Sequence, residues 1–510
     1  MVTRSTARLA ACALSLLLVA DVQAYMVDIG YTALQNELGV AAPTGANVRV
    51  AHVEAPINDV SGGASPIFMP NPSNLEFSGK TIAAITPNLS GSYSDHATTV
   101  GTLFYGVTGS IASGINTVNV YEAGNWFNSL YVSSPNPNVN GQATTSPDRV
   151  LNHSWVGGGN DAAIDGTILR LVDRQAALNE SIQVVGLTNG PGNSPLLGGS
   201  GYNVIAVGRT DGFHQQGSVA VDSVYGAGRT VPALVAPMGT TSAATPVVSA
   251  AAALLVQTGH QGGLSLSEGS TTIAGVGTVY NAERSETIKA ALMAGADRAT
   301  ANTGTPNDIT DYRGAGHETA NGLDNRYGAG QVNISNSYHI LAGGEQRSLQ
   351  SGGSDIISHG FDYSTIGRVN GVQGAASYFF NATGDVTLFA SLVWNLDLPN
   401  DAGILLPGSE QTGRLYNLDL SLFDVTNNQL VASSASLLDN TENLYVNLLL
   451  GNRYEMRVTT NESTNFSWDY ALAWRMDAAP ALVPLPAAAW LFAAGWLSLL
   501  PFTRRRPAAA

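Results

Sequence analysis

The chain has 510 residues, 44% of them hydrophobic and 12% charged, with a formal net charge of −15 at pH 7. This length predicts two or more domains with ample core. A surface that is acidic and poor in Lys and Arg argues against nucleic acid as a partner, because phosphate backbones bind to basic faces.

The first 24 residues predict a secretory signal. Arg4 and Arg8 supply its positive region, the run LAACALSLLLVA supplies its apolar region, and Ala24 completes a small-residue cleavage pattern. The mature chain is therefore expected to begin near Tyr25 and to be exported.

The single cysteine, Cys12, lies inside this signal. LAAC superficially resembles a lipoprotein processing motif, but most of the apolar run follows Cys12 instead of preceding it. Lipid attachment is therefore disfavoured, and the mature chain has no cysteine for a disulfide or a thiolate site.

After an N-terminal segment at 25–44, residues 45–341 predict an α/β domain. Continuous apolar runs such as VRVAHVE, IQVVGL and YNVIAVG alternate with Ala-rich segments. Buried parallel strands have this pattern because helices cover both faces of their sheet. The expected architecture is therefore a three-layer, parallel-sheet domain.

Residues 345–478 have a different pattern, in which apolar and polar residues alternate. VTLFASLVWNLDL, YNLDLSLFDV and YEMRVTT are separated by turn sequences. This period-two pattern predicts an antiparallel β-sandwich, with Leu418, Leu420 and Leu422 facing its core. Nothing in this region predicts a specific binding role.

The C-terminal stretch VPLPAAAWLFAAGWLSLLPFTRRRPAAA has an apolar run followed by three arginines, Arg504–Arg506. The run is marginal in length for a membrane span, and a plain membrane anchor is one interpretation. The order of its parts over 483–506 resembles the PEP-CTERM sorting signal. This resemblance implies transient inner-membrane contact, processing by an exosortase-type enzyme, and release to the cell surface or beyond.

Ser242 lies where a loop is predicted to enter a long apolar helix, in APMGTTSAATPVVSAAAALLVQTG. A helix start directs free N–H groups at such a serine, although Ser and Thr are equally common there as simple caps. Since a serine hydroxyl is a poor nucleophile without a base, a second group has to be found elsewhere.

His96, in SDHATTVGTLFYG, is the candidate base, and Glu54 ends the predicted strand VRVAHVEAP. Open α/β sheets place their sites at the carboxyl ends of strands, which is where Glu54 lies. The chain order acid, histidine, serine is that of the subtilisin triad.

Six motifs in register over about residues 45–341 resemble those of subtilisin-like serine peptidases. TTSAATP resembles the serine motif, DHATTVG the histidine motif, and VRVAHVEAP the strand that ends in the catalytic acid. RVLNHSWVG is similar to the substrate-cleft strand, VVGLTNGPGN to the oxyanion segment, and DNRYGAGQVN to the closing stretch.

The resemblance implies a subtilisin-like fold and serine endopeptidase activity on polypeptides. Ser242 would be the nucleophile, His96 the base and Glu54 the acid. Asn189, or less favourably Asn193, would stabilise the oxyanion. Ser154, Trp155, Val156 and Gly157 would pair with a peptide substrate as an added strand.

Several positions depart from the family pattern. Glu54 stands where the family has Asp, so Asp59 and Asp95 stay open as alternative acids. Ala97 and Thr240 stand where the family has glycine. The stretch between Tyr25 and Glu54 is also too short for the long N-terminal inhibitory domain of many subtilases.

Two other interpretations are kept. Sedolisins share this fold and use Glu and Asp without His, but Glu54 lies on the first strand and His96 occupies the position of the base. The departures from the motifs also fit a non-catalytic surface or matrix protein on a subtilase scaffold, although all three triad positions hold chemically competent residues.

No cofactor is expected. Calcium is common in the family, but no ligand set can be assigned here. The acidic stretch NDITDYRGAGHETANGLDN is interpreted as a solvated loop.

Overall fold

The structure is a computed structural model that describes residues 24–127, 146–158, 161–304, 307–398 and 413–478. Residues 1–23 of the predicted signal, with Cys12, and the whole predicted sorting tail lie outside the described residues. The predictions made for them therefore remain predictions.

The first part of the chain is built on a seven-stranded sheet in the order β2-β3-β1-β4-β5-β6-β7. All six strand pairs are parallel. The strands are β1 Val50–Glu54, β2 Thr81–Ala84, β3 Thr117–Glu122, β4 Val150–His153, β5 Ile182–Gly186, β6 Val204–Arg209 and β7 Leu234–Ala236. All five residues of β1 are buried, which explains its nearly continuous apolar sequence.

Helices cover both faces of this sheet, because successive side chains of each strand point to opposite sides. Val50 of β1 packs in one core cluster with Phe104 and Val247, whereas Ala51 and Val53 pack in another with Leu171. The helices of eight or more residues are α1 Tyr31–Leu38, α2 Asp95–Tyr105, α3 Ala162–Asn179, α4 Thr241–Gly262, α5 Ser285–Gly295 and α6 Ile334–Ala342. Helices α2 and α4 therefore lie on one face and α3 on the other.

Helix α4 is the central helix of the first face. Across the described residues, the stretch Thr241–Ser265 alone is long and apolar enough to cross a membrane, but 83% of its apolar window is buried inside the protein. Its composition therefore reflects its position in the core.

The second part of the chain forms two antiparallel sheets, in the orders β11-β10-β18-β13-β16 and β12-β17-β14-β15. A short hairpin precedes them. The strands are β8 Ser270–Ile273, β9 Gly277–Tyr280, β10 His359–Val369, β11 Val372–Gln373, β12 Ala375–Asn381, β13 Val386–Val393, β14 Leu418–Asp424, β15 Gln429–Ser434, β16 Thr441–Leu448, β17 Arg453–Thr460 and β18 Phe466–Ala478.

The fold class predicted from the sequence is confirmed: a parallel-sheet α/β domain is followed by an antiparallel β-sandwich. The period-two pattern of β14 is also confirmed, since Leu418, Leu420 and Leu422 are completely buried. A strand alternates apolar and polar residues in this way when one face of its sheet packs on a core and the other face does not.

The two parts meet in one shared hydrophobic core cluster, and the sandwich has a second core cluster of its own. All eleven residues of α5 are buried, and Phe361, Val393 and Ala473 of the sandwich belong to the same cluster as the α4 and α5 side chains. Helix α5 is therefore enclosed between the parallel sheet domain and the sandwich.

Polar groups cross the same boundary. Asn395 Nδ2 donates to Glu286 Oε1 at 2.6 Å, and Arg475 Nε donates to the Ala294 carbonyl at 2.9 Å. Burial raises the pKa of Glu286 to about 8. The sandwich thus completes the surroundings of buried polar groups on α5.

The N-terminal segment also packs against the core. Tyr25 is buried and its hydroxyl donates to the Gly109 carbonyl at 2.9 Å, and Asp28 Oδ1 accepts from the Thr303 amide at 2.7 Å. A mature chain that begins near Tyr25 keeps both of these contacts.

Candidate active site

Glu54 is the last residue of β1, at the carboxyl end of the parallel sheet. Its side chain lies on the same face as Val50, because residues two and four apart on a strand share a face. That face is covered by α2 and α4. Glu54 is only 2% exposed, so its carboxylate needs partners.

His96 supplies one of these partners. It is the second residue of α2, whose start is capped by Ser94 accepting from the Ala97 amide. His96 Nδ1 lies 3.0 Å from Glu54 Oε1. Since an ionised carboxylate only accepts hydrogen bonds, the proton of the neutral imidazole is on Nδ1 and Nε2 carries the lone pair.

The two groups shift each other's pKa. The hydrogen bond to Glu54 raises the pKa of His96, and burial of the ring opposes it only partly. Burial acts to raise the pKa of Glu54, but hydrogen bonds from His52 and His96 outweigh it and hold the pKa below its ordinary value. Glu54 is therefore ionised at neutral pH and stabilises a positive charge on His96.

The other acids considered from the sequence do not contact His96. Asp59 is exposed and accepts from the Ser61 amide at 2.8 Å, and Asp95 is exposed in the first turn of α2. Of the three acids, Glu54 alone pairs with the histidine.

Ser242 is the second residue of α4 and is partly exposed. Its hydroxyl forms no hydrogen bond with any described residue, and His96 Nε2 likewise has no partner among them. The structure thus joins Glu54 to His96 but does not join His96 to Ser242. Catalytic hydrogen bonds are often long in ligand-free enzymes and shorten when substrate binds.

Two hydrogen-bond donors at the start of α4 are unused: the amide of Ser242 and the Nδ2 group of the neighbouring Asn189. Thr240 caps the helix by accepting from the Ala243 amide, and the Thr241 amide donates to Asn189 Oδ1 at 2.8 Å. Because this bond engages the oxygen of the Asn189 side chain, its Nδ2 is left as a donor. The Ser242 amide has no acceptor in the described chain, as expected for the first turn of a helix.

Asn193, the alternative oxyanion residue, lies in the exposed loop after β5 and makes no bond to α4 within the described residues. Asn189 is fixed to the helix start and Asn193 is not. The geometry therefore favours Asn189 for a role beside Ser242.

The predicted substrate strand follows β4, which ends at His153. Trp155 and Val156 make no backbone hydrogen bonds with other described residues, and Val156 is 44% exposed. Gly157 differs, because its amide donates to Ser194 Oγ at 3.1 Å and its carbonyl accepts from the Leu196 amide at 3.4 Å. Free backbone groups for an added strand are thus found at Trp155 and Val156, two of the four predicted residues.

A second histidine contacts the acid, which the sequence analysis missed. His52 is completely buried, and its Nε2 lies 3.2 Å from Glu54 Oε2. The signal was present in the sequence, since His52 and Glu54 are two residues apart on a predicted strand and so share a face.

Metal-ligating side chains do not cluster among the described residues. No group of three or more His, Cys, Asp or Glu side chains is placed to hold a metal ion there. In the acidic stretch, Asp324 accepts from the Arg313 amide and pairs with Arg326, and Asp308 accepts from Thr300. These two acids are therefore engaged by residues close to them in the chain.

No protein-family model matches the chain, and no curated protein does. Solved structures that resemble it include the patellamide maturation protease PatA, at 18% identity and a TM-score of 0.35, over 59% of this chain and 98% of that chain. A cold-adapted subtilisin-like serine proteinase aligns at 18% identity and a TM-score of 0.28, over 52% of this chain and 88% of its own.

The pre-peptidase C-terminal domain of a collagenase from Bacillus anthracis aligns with 22% of this chain and 87% of its own, at 12% identity and a TM-score of 0.16. The structural neighbours thus include subtilisin-like proteases. Because these TM-scores are low, the fold class is assigned from the strand order of this chain's own sheets.

Proposed function

We propose that this chain is an exported, subtilisin-like serine endopeptidase that hydrolyses peptide bonds with Glu54, His96 and Ser242. The observation that supports this most is the 3.0 Å contact between His96 Nδ1 and Glu54 Oε1, which leaves the other ring nitrogen free to take a proton. The sheet and helix layout supports it further, because α2 and α4 lie on the face of the sheet that Glu54 occupies.

In the proposed reaction, Ser242 Oγ attacks the scissile carbonyl while His96 Nε2 takes the hydroxyl proton. The resulting imidazolium is stabilised by the Glu54 carboxylate. His96 then gives the proton to the leaving amine, and a water molecule repeats the sequence to release the acyl group from Ser242.

The oxyanion of the tetrahedral intermediate would accept from the Ser242 amide and from Asn189 Nδ2. Both donors are unused, and the first lies at the positive end of the α4 dipole. The peptide would lie along Ser154–Val156 and add a strand through the free backbone groups of Trp155 and Val156.

Peptide hydrolysis tests this function directly. The purified protein should cleave an unfolded polypeptide such as casein at internal bonds, with fragments identified by mass spectrometry. Ser242→Ala should lower kcat by about 10⁶-fold. If neither protein gives fragments, the chain is a non-catalytic surface or matrix protein on this scaffold. The same fragments from both proteins would show that Ser242 is not the nucleophile.

Replacement of the oxyanion donor should slow turnover without preventing binding. Asn189→Ala is expected to lower kcat by about 10²- to 10³-fold with little change in KM, because the lost hydrogen bond forms in the transition state. Asn193→Ala is the matched control and should retain wild-type kcat. A larger loss in the control would transfer the role to Asn193.

The sorting tail is proposed to anchor the chain transiently to the inner membrane. Cleavage near VPLP by an exosortase-type enzyme would release the body to the cell surface or beyond. In a host with such an enzyme, C-terminal mass spectrometry of the exported protein should find Arg504–Arg506 removed. Deletion of 483–510 should change sorting but not kcat. A mature protein that keeps the arginines in the inner membrane would identify an ordinary anchor.

A further inference from the structure

The carboxylate of Glu54 is bracketed by two histidines, one on each oxygen. Oε1 lies 3.0 Å from His96 Nδ1, and Oε2 lies 3.2 Å from His52 Nε2. His52 is in turn fixed from its far side, because its Nδ1 lies 3.1 Å from the Tyr105 hydroxyl. The four side chains form one continuous hydrogen-bonded chain between β1 and α2.

The protonation of this chain follows from which atoms donate. An ionised Glu54 only accepts, so His52 Nε2 carries a hydrogen. In neutral His52 the other nitrogen then has a lone pair, which accepts from the Tyr105 hydroxyl. The opposite arrangement, with His52 donating to Tyr105, would leave the tyrosine hydrogen without an acceptor among the described residues. Tyr105 thus selects the tautomer of His52 that donates to Glu54.

The two histidines differ in burial, and they therefore differ in the role that each can have. His52 and Tyr105 are completely buried, whereas the His96 side chain is 39% exposed. His52 has no path to a substrate in this position, while His96 does. His52 therefore acts on the reaction only through Glu54.

A glutamate at this position has one more rotatable bond than an aspartate, so its carboxylate has more orientations to lose. Its second oxygen needs a donor if the first is to stay aligned with His96. His52 provides that donor from the same strand, two residues before Glu54.

We propose that His52, with its tautomer fixed by Tyr105, is a positioning residue that holds the Glu54 carboxylate in the orientation that aligns His96. This inference rests on the proposed peptidase function for its kinetic consequences. The alignment of Glu54 and His96 is a property of the fold and can be measured without turnover.

Three variants test the proposal. His52→Leu removes both hydrogen bonds at similar volume, and His52→Gln keeps one donor for Glu54 and one acceptor for Tyr105. Tyr105→Phe removes only a hydroxyl, so the proposal can still be tested with this variant if His52→Leu does not fold. Thermal unfolding of each variant shows whether it is folded at the assay temperature.

His52→Leu is expected to lower kcat by about 10²-fold with KM unchanged, since a small misplacement of a catalytic group costs about that much. His52→Gln should recover most of the loss, and Tyr105→Phe should fall between the two. If His52→Leu or, should it not fold, Tyr105→Phe keeps wild-type kcat and is only less stable, then the role is merely structural and the proposal is overturned.

A second measurement separates this inference from the proposed function. The proton NMR resonance of His96 Nδ1–H should be sharp in the wild-type protein and in His52→Gln, and should broaden or disappear in His52→Leu and in Tyr105→Phe. This result supports positioning even if the wild-type protein cleaves no peptide. An unchanged resonance in all folded variants would overturn the proposal.

Discussion

Glu54→Gln is expected to lower kcat by about 10⁴-fold with the fold intact. The buried His52 donates to one side-chain oxygen of Glu54, so the amide oxygen of the variant would be directed toward His52. The amide NH₂ would then face His96 and donate to its Nδ1. This bond fixes the tautomer with hydrogen on Nε2, which cannot take a proton from Ser242.

The pH dependence of kcat/KM should change in the same variant. In the wild-type protein, activity is lost as pH falls through the His96 pKa, which the Glu54 carboxylate raises above its ordinary value. Removal of the carboxylate leaves burial of the ring, which lowers the pKa. The midpoint of the acid limb should therefore move to lower pH in Glu54→Gln, as measured on its residual activity.

Asp59→Asn and Asp95→Asn are the matched controls for this prediction. Both acids are exposed and neither contacts His96, so both variants should have wild-type kcat. Near-normal turnover in Glu54→Gln together with a large loss in either control would assign the acid to that residue.

Removal of the β-sandwich should abolish folding of the parallel sheet domain. A chain that ends at Gly343 would expose α5, whose eleven residues are all buried in the intact protein. It would also remove Asn395 from the carboxyl of Glu286 and Arg475 from the end of the helix. The truncated chain should show no cooperative unfolding transition by circular dichroism.

A point variant tests the same boundary between the two parts without removal of the sandwich. Asn395→Ala leaves the buried carboxyl of Glu286 without that donor and should lower the free energy of unfolding by about 1–3 kcal/mol. Asn381→Ala, on the exposed end of β12, is the control and should change it little. A truncated chain that unfolds cooperatively and cleaves peptides would contradict a shared core.

The parallel sheet domain could be predicted from the sequence. Strands that are buried on both faces have long apolar runs, as found around Glu54 and in β5 and β6. The sequence also placed Glu54 at the end of a strand and identified His96 as the candidate base. The enclosure of α5 could not be predicted, because Glu286 and Lys289 have the character of a solvent-facing stripe. Both are buried in the folded protein. Glu286 accepts from Asn395 of the sandwich, whereas Lys289 donates to the Tyr202 carbonyl of the sheet domain.

His52 was not recognised for a related reason. In a strand read for its apolar content, a histidine is most easily taken as a neutral core residue. Its role depends on Tyr105, which is brought to it by α2 and is distant in the sequence. A local sequence pattern cannot predict such a contact between residues on two separate elements.

Covalent labelling of Ser242 tests the central claim most directly. A fluorophosphonate probe reacts with a serine only when a neighbouring base activates it, so the wild-type protein should be labelled. Peptide mass spectrometry should place the adduct on Ser242, and Ser242→Ala and His96→Ala should not be labelled. An absence of labelling in the folded wild-type protein, or an adduct at another serine, would contradict the proposed triad.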